Sequence, residues 1–244
     1  MSFLNKVVVI TGAGSGFGAA IALNFANLSA RLCLLDINEE NVKKSAEICE
    51  KASRTKVLWI KVDLTNDEEV KGAIAKTVKE YGRIDVVVNN AGIMLKTASI
   101  LAEDVLSSFD TVMAVNMRAA VAVSHYSAPH LIESKGNIVN ISSVGISVVL
   151  KDIPYSLSKA CLSHYTRCLA LEMAPLGVRV NAILPFASMT PLVEGAAGEE
   201  GIEEFKKALE KWSPMKRLIK PEEVADLVAY LAITLSDNGN VSCK

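Results

Sequence analysis

An α/β fold built on a parallel sheet follows from three features of the chain. Short apolar runs near residues 6–11, 31–36, 56–62, 84–89, 136–142 and 178–184 alternate with longer segments of helical periodicity. The runs are close to continuously apolar, as strands covered on both faces are. The first run passes straight into a glycine-rich turn and then a helical pattern. With half of its 244 residues apolar, the chain has enough material for one large core. No linker, repeat or low-complexity tract interrupts it, so residues 1–244 read as a single domain.

The first element is Lys6-Val-Val-Val-Ile-Thr11, followed by Gly12-Ala-Gly-Ser-Gly16-Phe-Gly18 and the helical pattern Ala19 to Leu28. Glycines here permit a tight turn and let backbone amides approach a pyrophosphate, which the positive end of the helix dipole favours. No Gly-Lys-Ser/Thr follows, which excludes a P-loop. The strand, turn and helix together predict a Rossmann-like doubly wound parallel sheet with helices on both faces. They place Gly12, Ser15, Gly16, Phe17 and Gly18 at a dinucleotide. The second run ends in Asp36, eighteen residues beyond Gly18, where this fold puts the acid that binds the adenosine ribose. Its charge would repel a 2′-phosphate, and Ala13, Ile37 and Asn38 supply no cation to neutralise one. NAD(H) is therefore favoured over NADP(H). The competing reading is that Asp36 caps the helix starting near Asn38.

Tyr155 and Lys159 stand four residues apart, on one face of a predicted helix. A phenol with an ordinary pKa of about 10 is a poor base at neutral pH, and a neighbouring ammonium favours its ionised form. The spacing alone is common on solvated helices; its company gives it meaning.

That company consists of Thr11 to Gly18, Asp63-Leu64, Asn89-Asn-Ala-Gly92, Asn116, Ser142, the Tyr155/Lys159 pair and Asn181 in Val178-Arg-Val-Asn-Ala. In this order they resemble the short-chain dehydrogenase/reductase family, over nearly the whole chain. The resemblance implies that Ser142 hydrogen-bonds the substrate oxygen and Tyr155 gives or takes its proton. Lys159 would lower the tyrosine pKa and bind the nicotinamide ribose, while Asn116 holds a water linking the lysine to solvent. Ser142 is preferred over Ser143 because it lies thirteen residues before Tyr155 and three before Gly145, as the family's serine does. Asp63 would contact the adenine, with Leu64 beside it in the cofactor site. Asn90, Ala91 and Gly92 would line the cleft or simply fix a loop at a strand end. Pro185 and Thr190 would meet the nicotinamide end. The family's helices matching 103–132 and 155–174 pack against their copies, which implies a homodimer or homotetramer.

The implied reaction is interconversion of a secondary alcohol and a ketone. Ile146, Val148, Val149 and Leu150 join the serine to the tyrosine, and Met94, Leu95, Phe186, Met189 and Leu192 stand nearby in the family arrangement. Their apolar character, with a substrate-binding segment at about 186–215, suggests a lipophilic substrate such as a steroid, retinoid, fatty acyl or isoprenoid compound. The same residues could equally pack or cover a subunit interface. Two alternatives stay open: reduction of an acyl-thioester ketone, with Lys151, Lys216, Arg217 and Lys220 docking an acidic carrier, and a nucleotide-binding sensor or scaffold without turnover.

The sequence departs from the family in two places. Phe186 follows Pro185 where members usually have glycine, so the turn beside the nicotinamide is expected to differ. The chain ends at Val241-Ser-Cys-Lys244 without the family's last strand and tail. The seventh strand is therefore expected to be missing or incomplete, with weaker tetramerisation.

A formal net charge of −1 with interspersed signs gives no basic stripe for nucleic acid. No apolar run reaches membrane-spanning length, and Met1 to Asn5 are too few for a signal peptide before the first strand. Cys33, Cys49, Cys161, Cys168 and Cys243 form no CxxC and leave an odd count, as reduced thiols of a cytoplasmic protein would. Cys161 and Cys168 are expected to pack. His125, His130 and His164 lack metal-ligand spacing, and no metal is expected.

Overall fold

Val7–Thr11 forms strand β1 with all five residues buried, as an apolar run between two helical layers requires. The computed structural model to which it belongs describes residues 2–95, 100–147, 152–197 and 202–233. Five further strands accompany it: β2 (Arg31–Asp36), β3 (Leu58–Lys61), β4 (Val86–Asn89), β5 (Asn137–Ile141) and β6 (Arg179–Ile183). They form one parallel sheet in the order β3-β2-β1-β4-β5-β6. Each strand lies inside one of the six apolar runs. The expectation about a seventh strand falls on residues 234–244, outside the described residues.

Helices follow the strands: α1 (Gly16–Asn27), α2 (Glu39–Ser53), α3 (Asp67–Tyr81), α4 (Val105–Met113), α5 (Ala119–Ser134), α6 (Ile153–Met173), α7 (Pro191–Ala197), α8 (Ile202–Trp212) and α9 (Pro221–Ala232). Local chemistry sets their ends. The Asn38 side chain accepts from Asn41 N–H to start α2, and Asn66 does the same for α3 through Glu68 and Glu69. Glu39 and Glu40, like Asp67 to Glu69, put negative charge on the positive end of each dipole. Gly82, with φ of 76°, ends α3 in the left-handed region that glycine enters without strain.

One face of the sheet is covered by α1, α2 and α9, where Ile21, Phe25, Val42, Val224 and Val228 pack on Val8, Ile10 and Leu34. The other is covered by α3, α5 and α6, where Val70, Ile74, Val123 and Leu131 pack on Val9, Val87 and Ile138. Each fully buried aliphatic side chain contributes about 2 kcal/mol by leaving water. Cys33 and Cys49 belong to these cores, whereas Cys161 and Cys168 are exposed. The expectation that the latter pair packs was wrong: the buried stripe of α6 runs through Tyr155, Lys159, Leu162 and Thr166, and both cysteines fall outside it.

Strand order reverses between β1 and β4, which opens a crevice at their carboxyl ends. Thr11 and Asn90 hold its two lips together. Thr11 Oγ1 accepts from the Asn90 and Ala91 N–H groups at 3.0 and 3.1 Å, and Asn90 Nδ2 donates to the Thr11 and Gly12 carbonyls.

Candidate active site

A cavity of about 890 Å³ follows this crevice from Asp36 and Asp63 to Tyr155 and Trp212. Gly12, Ser15, Gly16, Phe17, Asp36, Asp63, Leu64, Asn90, Ala91, Gly92, Tyr155, Lys159, Pro185 and Thr190 all line it. Gly18 does not. It packs α1 onto β1 so closely that a Cβ would collide with the Gly12 carbonyl and crowd Asn90 Nδ2. Its glycine allows the close contact between the start of α1 and the Gly12 turn.

At the Asp36 end, the carboxylate is fixed by two backbone donors, Gly14 N–H to Oδ2 at 2.8 Å and Asn38 N–H to Oδ1 at 2.9 Å. Asn38 is the cap of α2, so Asp36 is free of that task. A side chain at residue 14 would press on Asp36 Oδ2, which is why a glycine sits there. Asp63 Oδ1 accepts from the Thr65 N–H and hydroxyl, and these bonds hold its carboxyl below the usual range. At the first turn of α1, Ser15 makes no side-chain cap, and no acidic residue opposes an anion.

At the other end, Tyr155 and Lys159 lie on the buried stripe of α6, with the lysine nitrogen 5.8 Å from the phenol ring centre. Asp152 starts this helix by accepting from Tyr155 N–H at 2.9 Å. Lys159 Nζ donates to the Ile141 carbonyl at 2.8 Å, and burial lowers its pKa to about 8. Burial also pushes the Tyr155 phenol up; a hydrogen bond with Ser143 pulls it down, and the Asp152 carboxylate adds a smaller upward push. Burial thus dominates the phenol, and Lys159 adds no downward pull of its own.

The two serines part company here. Ser142 continues β5, its N–H donating to the Ile183 carbonyl, and its hydroxyl turns beneath α6. There it donates to the Lys159 carbonyl at 2.9 Å and lies 2.6 Å from the Ser163 hydroxyl. Alternation along the strand sends Ser143 the other way, to Tyr155. The expectation that placed Ser142 on the substrate oxygen is not met by this geometry. Ser143 stands twelve residues before Tyr155 and two before Gly145, so counting back thirteen from the tyrosine lands on its neighbour.

Asn116 sits in a π-helical turn, Ala114–Arg118, between α4 and α5. It lies behind the cavity wall: a Cβ on Gly92 would stand 3.3 Å from Lys159 Nζ and 3.4 Å from Asn116 Oδ1. Phe186 lines the cavity with an ordinary backbone, since its φ is not positive. The neighbouring carbonyls of Pro185 and Ala187 accept from Val144 and Ile219 N–H groups, which fixes the turn without glycine.

Residues 12–239 match the family described as enoyl-(acyl carrier protein) reductase. The chain belongs to the short-chain dehydrogenase/reductase family. It is 37% identical over 235 residues to an oxidoreductase of Thermotoga maritima, spanning 95% of this chain and 92% of that one. It is 34% identical over 232 residues to the 2-(R)-hydroxypropyl-CoM dehydrogenase of Xanthobacter autotrophicus, spanning 94% and 92%. A family member from Caenorhabditis elegans, solved with cofactor, superposes with a TM-score of 0.89 at 28% identity, covering 98% and 93%.

Family membership leaves several lining residues that the sequence reading did not single out. Asp152, Ser188, Phe205, Leu209 and Trp212 all face the cavity. The α8 positions carry a legible signal, because Phe205, Leu209 and Trp212 recur at helical spacing in a segment otherwise rich in Lys and Glu. Asp152 reads in the sequence as an ordinary helix cap, and nothing there distinguishes it.

Proposed function

We propose that this chain is an NAD(H)-dependent oxidoreductase that interconverts a secondary alcohol and a ketone on a largely apolar substrate. The supporting observation is a single cavity with Asp36 at one end and the Ser143, Tyr155 and Lys159 group at the other. Glycine backbone, an uncapped helix start and a fixed carboxylate suit the pyrophosphate and ribose of a dinucleotide. Lys159 is the single lysine or arginine among the described lining residues, and it lies at the opposite end from Asp36. A 2′-phosphate would therefore meet a carboxylate without a compensating cation.

When bound, the nicotinamide supplies or accepts the hydride. The chain's own residues do the rest. Ser143 Oγ and Tyr155 Oη would both bond the substrate oxygen, fixing it for the proton that Tyr155 gives in reduction and takes in oxidation. Lys159 would favour the phenolate when charged and bind the ribose, while Asn116 and Gly92 keep the lysine nitrogen confined. Ile93, Met94, Leu95, Val144, Phe186 and Leu192 give this end an apolar wall, which supports a lipophilic body for the substrate. Residues 186–215 would form the substrate-binding segment of one domain spanning 1–244.

Two-fold association is part of the proposal. Leu157 and Leu171 on α6 and Leu106 on α4 are exposed, and burying such residues against a copy favours a dimer or tetramer. No described helix is long and apolar enough to cross a membrane, and the free thiols suit a cytoplasmic setting. Fluorescence titration with NADH and, separately, NADPH tests the cofactor reading. Saturable binding of NADH, with NADPH weaker by tenfold or more, is expected; equal binding, or none, would contradict it.

A further inference from the structure

Trp212 lines the cavity and is nevertheless 63% exposed, which places it at the mouth. Phe205, one face of α8 below it, is also a lining residue that reaches solvent, and Met215, three residues beyond, is 72% exposed. The turn that carries Met215 is fixed. Ser213 is buried and its N–H donates to the Leu209 carbonyl, while Lys216 N–H returns to the Ser213 carbonyl at 3.0 Å with a left-handed φ of 54° at Lys216. Further on, Ile219 N–H bonds the carbonyl of Ala187, another lining residue, so the tip is pinned to the cavity wall on both sides. Large apolar side chains are thus held out in water beside the opening of an apolar cavity, the mark of a surface that meets a partner.

The charge around this tip is almost all of one sign. Residues 206–220 hold Lys206, Lys207, Lys211, Lys216, Arg217 and Lys220 against the single acid Glu210, in a chain whose formal net charge is −1. The flanking acids have other tasks. Glu203 and Glu204 lie in the first turn of α8 and Glu222 and Glu223 in that of α9, where the helix dipole favours them, and Glu223 also pairs with Arg217 at 2.7 Å. Lys207 and Lys211 stand four apart on one face of α8, and Lys216 Nζ donates to the Lys211 carbonyl at 2.9 Å, which keeps its charge at the helix end next to Trp212. Lysines around an exposed tryptophan at the end of an amphipathic helix suit a lipid interface, with ammonium groups at the phosphates and apolar side chains beneath them. A second copy fits less well, because a two-fold contact would set this positive patch against itself.

We propose that the end of α8 and the turn after it dock on an anionic lipid surface, with Trp212 and Met215 entering the headgroup boundary and Lys207, Lys211 and Lys216 facing the phosphates. Contact of this kind reaches about 5–10 Å into the interface and needs no spanning helix. The cavity then opens towards the bilayer, and an apolar substrate passes between membrane and active site without crossing bulk water. The docking stands on the exposed, positively charged tip; its use for substrate transfer rests on the oxidoreductase reading of the cavity.

Co-sedimentation of the full chain with vesicles tests this, comparing phosphatidylcholine alone with phosphatidylcholine containing about one-third phosphatidylglycerol, at ~0.1 M salt. Wild type is expected to bind the anionic vesicles at least about tenfold more tightly than the neutral ones, and its tryptophan emission should shift to the blue. Substituting Lys207, Lys211 and Lys216 together by Gln, all at exposed positions, should lower partitioning by at least about tenfold, since each lysine near such a surface is worth about fivefold. Trp212→Ala should lose the blue shift, because the other tryptophan, Trp59, packs against the core of the sheet. No binding, equal binding to both vesicle types, or a triple variant that is folded by circular dichroism and binds like wild type would each overturn the proposal. Capture by soluble polyglutamate with none by anionic vesicles would overturn it in favour of an acidic protein. Binding to anionic vesicles by a chain that oxidises no secondary alcohol with NAD⁺ would support the docking and fault the oxidoreductase reading instead.

Discussion

Asn116 grips Ile93 from both sides of its amide. Its Oδ1 accepts from Ile93 N–H at 2.8 Å and its Nδ2 donates to the Ile93 carbonyl at 2.9 Å, with a further bond to Ser158 Oγ at 3.0 Å. The loop after β4 is thereby tied to the helix carrying Tyr155 and Lys159. The π-helical turn accommodates this side chain within an otherwise α-helical run.

Asn116→Ala should therefore damage both stability and activity. It leaves a peptide group and a buried hydroxyl short of their partners, at about 1–3 kcal/mol for each unsatisfied group. Denaturant unfolding should report a loss of a few kcal/mol, and kcat should fall because the wall beside Lys159 loosens.

The serines give a sharper contrast. Ser143→Ala removes the hydroxyl that bonds Tyr155 and should lower kcat by about 10²-fold or more. Ser142→Ala removes bonds beneath α6 and should cost about 1–2 kcal/mol of stability with little change in kcat. Steady-state kinetics and unfolding curves on both variants separate the two, and the reverse pattern would reinstate Ser142 at the substrate.

Lys159 makes the pH dependence of stability predictable in sign. Burial lowers its pKa from 10.5 to about 8, so between those values the unfolded chain holds more protons than the folded one. Stability from this group must rise with pH across that window, and the penalty is fully present below it. It amounts to about 3 kcal/mol at most, against which the bond to Ile141 returns about 1. Lys159→Met should be inactive, more stable than wild type at pH 7 by about 2 kcal/mol, and without that advantage near pH 10. Chemical denaturation at the two pH values checks it.

Asp36→Ala should relax the cofactor preference by removing the charge that faces a 2′-phosphate. The ratio of NADPH to NADH dissociation constants is expected to fall by about tenfold, and an unchanged ratio would leave the preference without its residue.

Most of the architecture was legible because its signals are local. Buried strands read as apolar runs, the glycine turn announces the first crossover, and the helix expected to start near Asn38 does so. What stayed hidden depends on direction or on long-range contact. The choice between Ser142 and Ser143 turns on which face of β5 each side chain leaves by, and a segment one residue shorter than expected shifts the count. Gly18 looks like part of a phosphate turn, yet its task is set by the Gly12 carbonyl across the strand–helix contact. Asp152 spells a helix cap, and only the fold shows that the residue also lines the cavity. Cys161 and Cys168 lie seven residues apart on one helix, but whether that face is buried is decided by what packs against it.

Tyr155 carries the chemistry proposed here, and Tyr155→Phe removes its transferable proton while leaving the ring in place. The decisive measurement pairs NADH titration with NAD⁺-dependent oxidation of a turned-over secondary alcohol in wild type and this variant. NADH affinity should stay within about twofold while turnover falls by at least about 10²-fold. Near-normal turnover in Tyr155→Phe would contradict the assignment of Tyr155 as the acid and base.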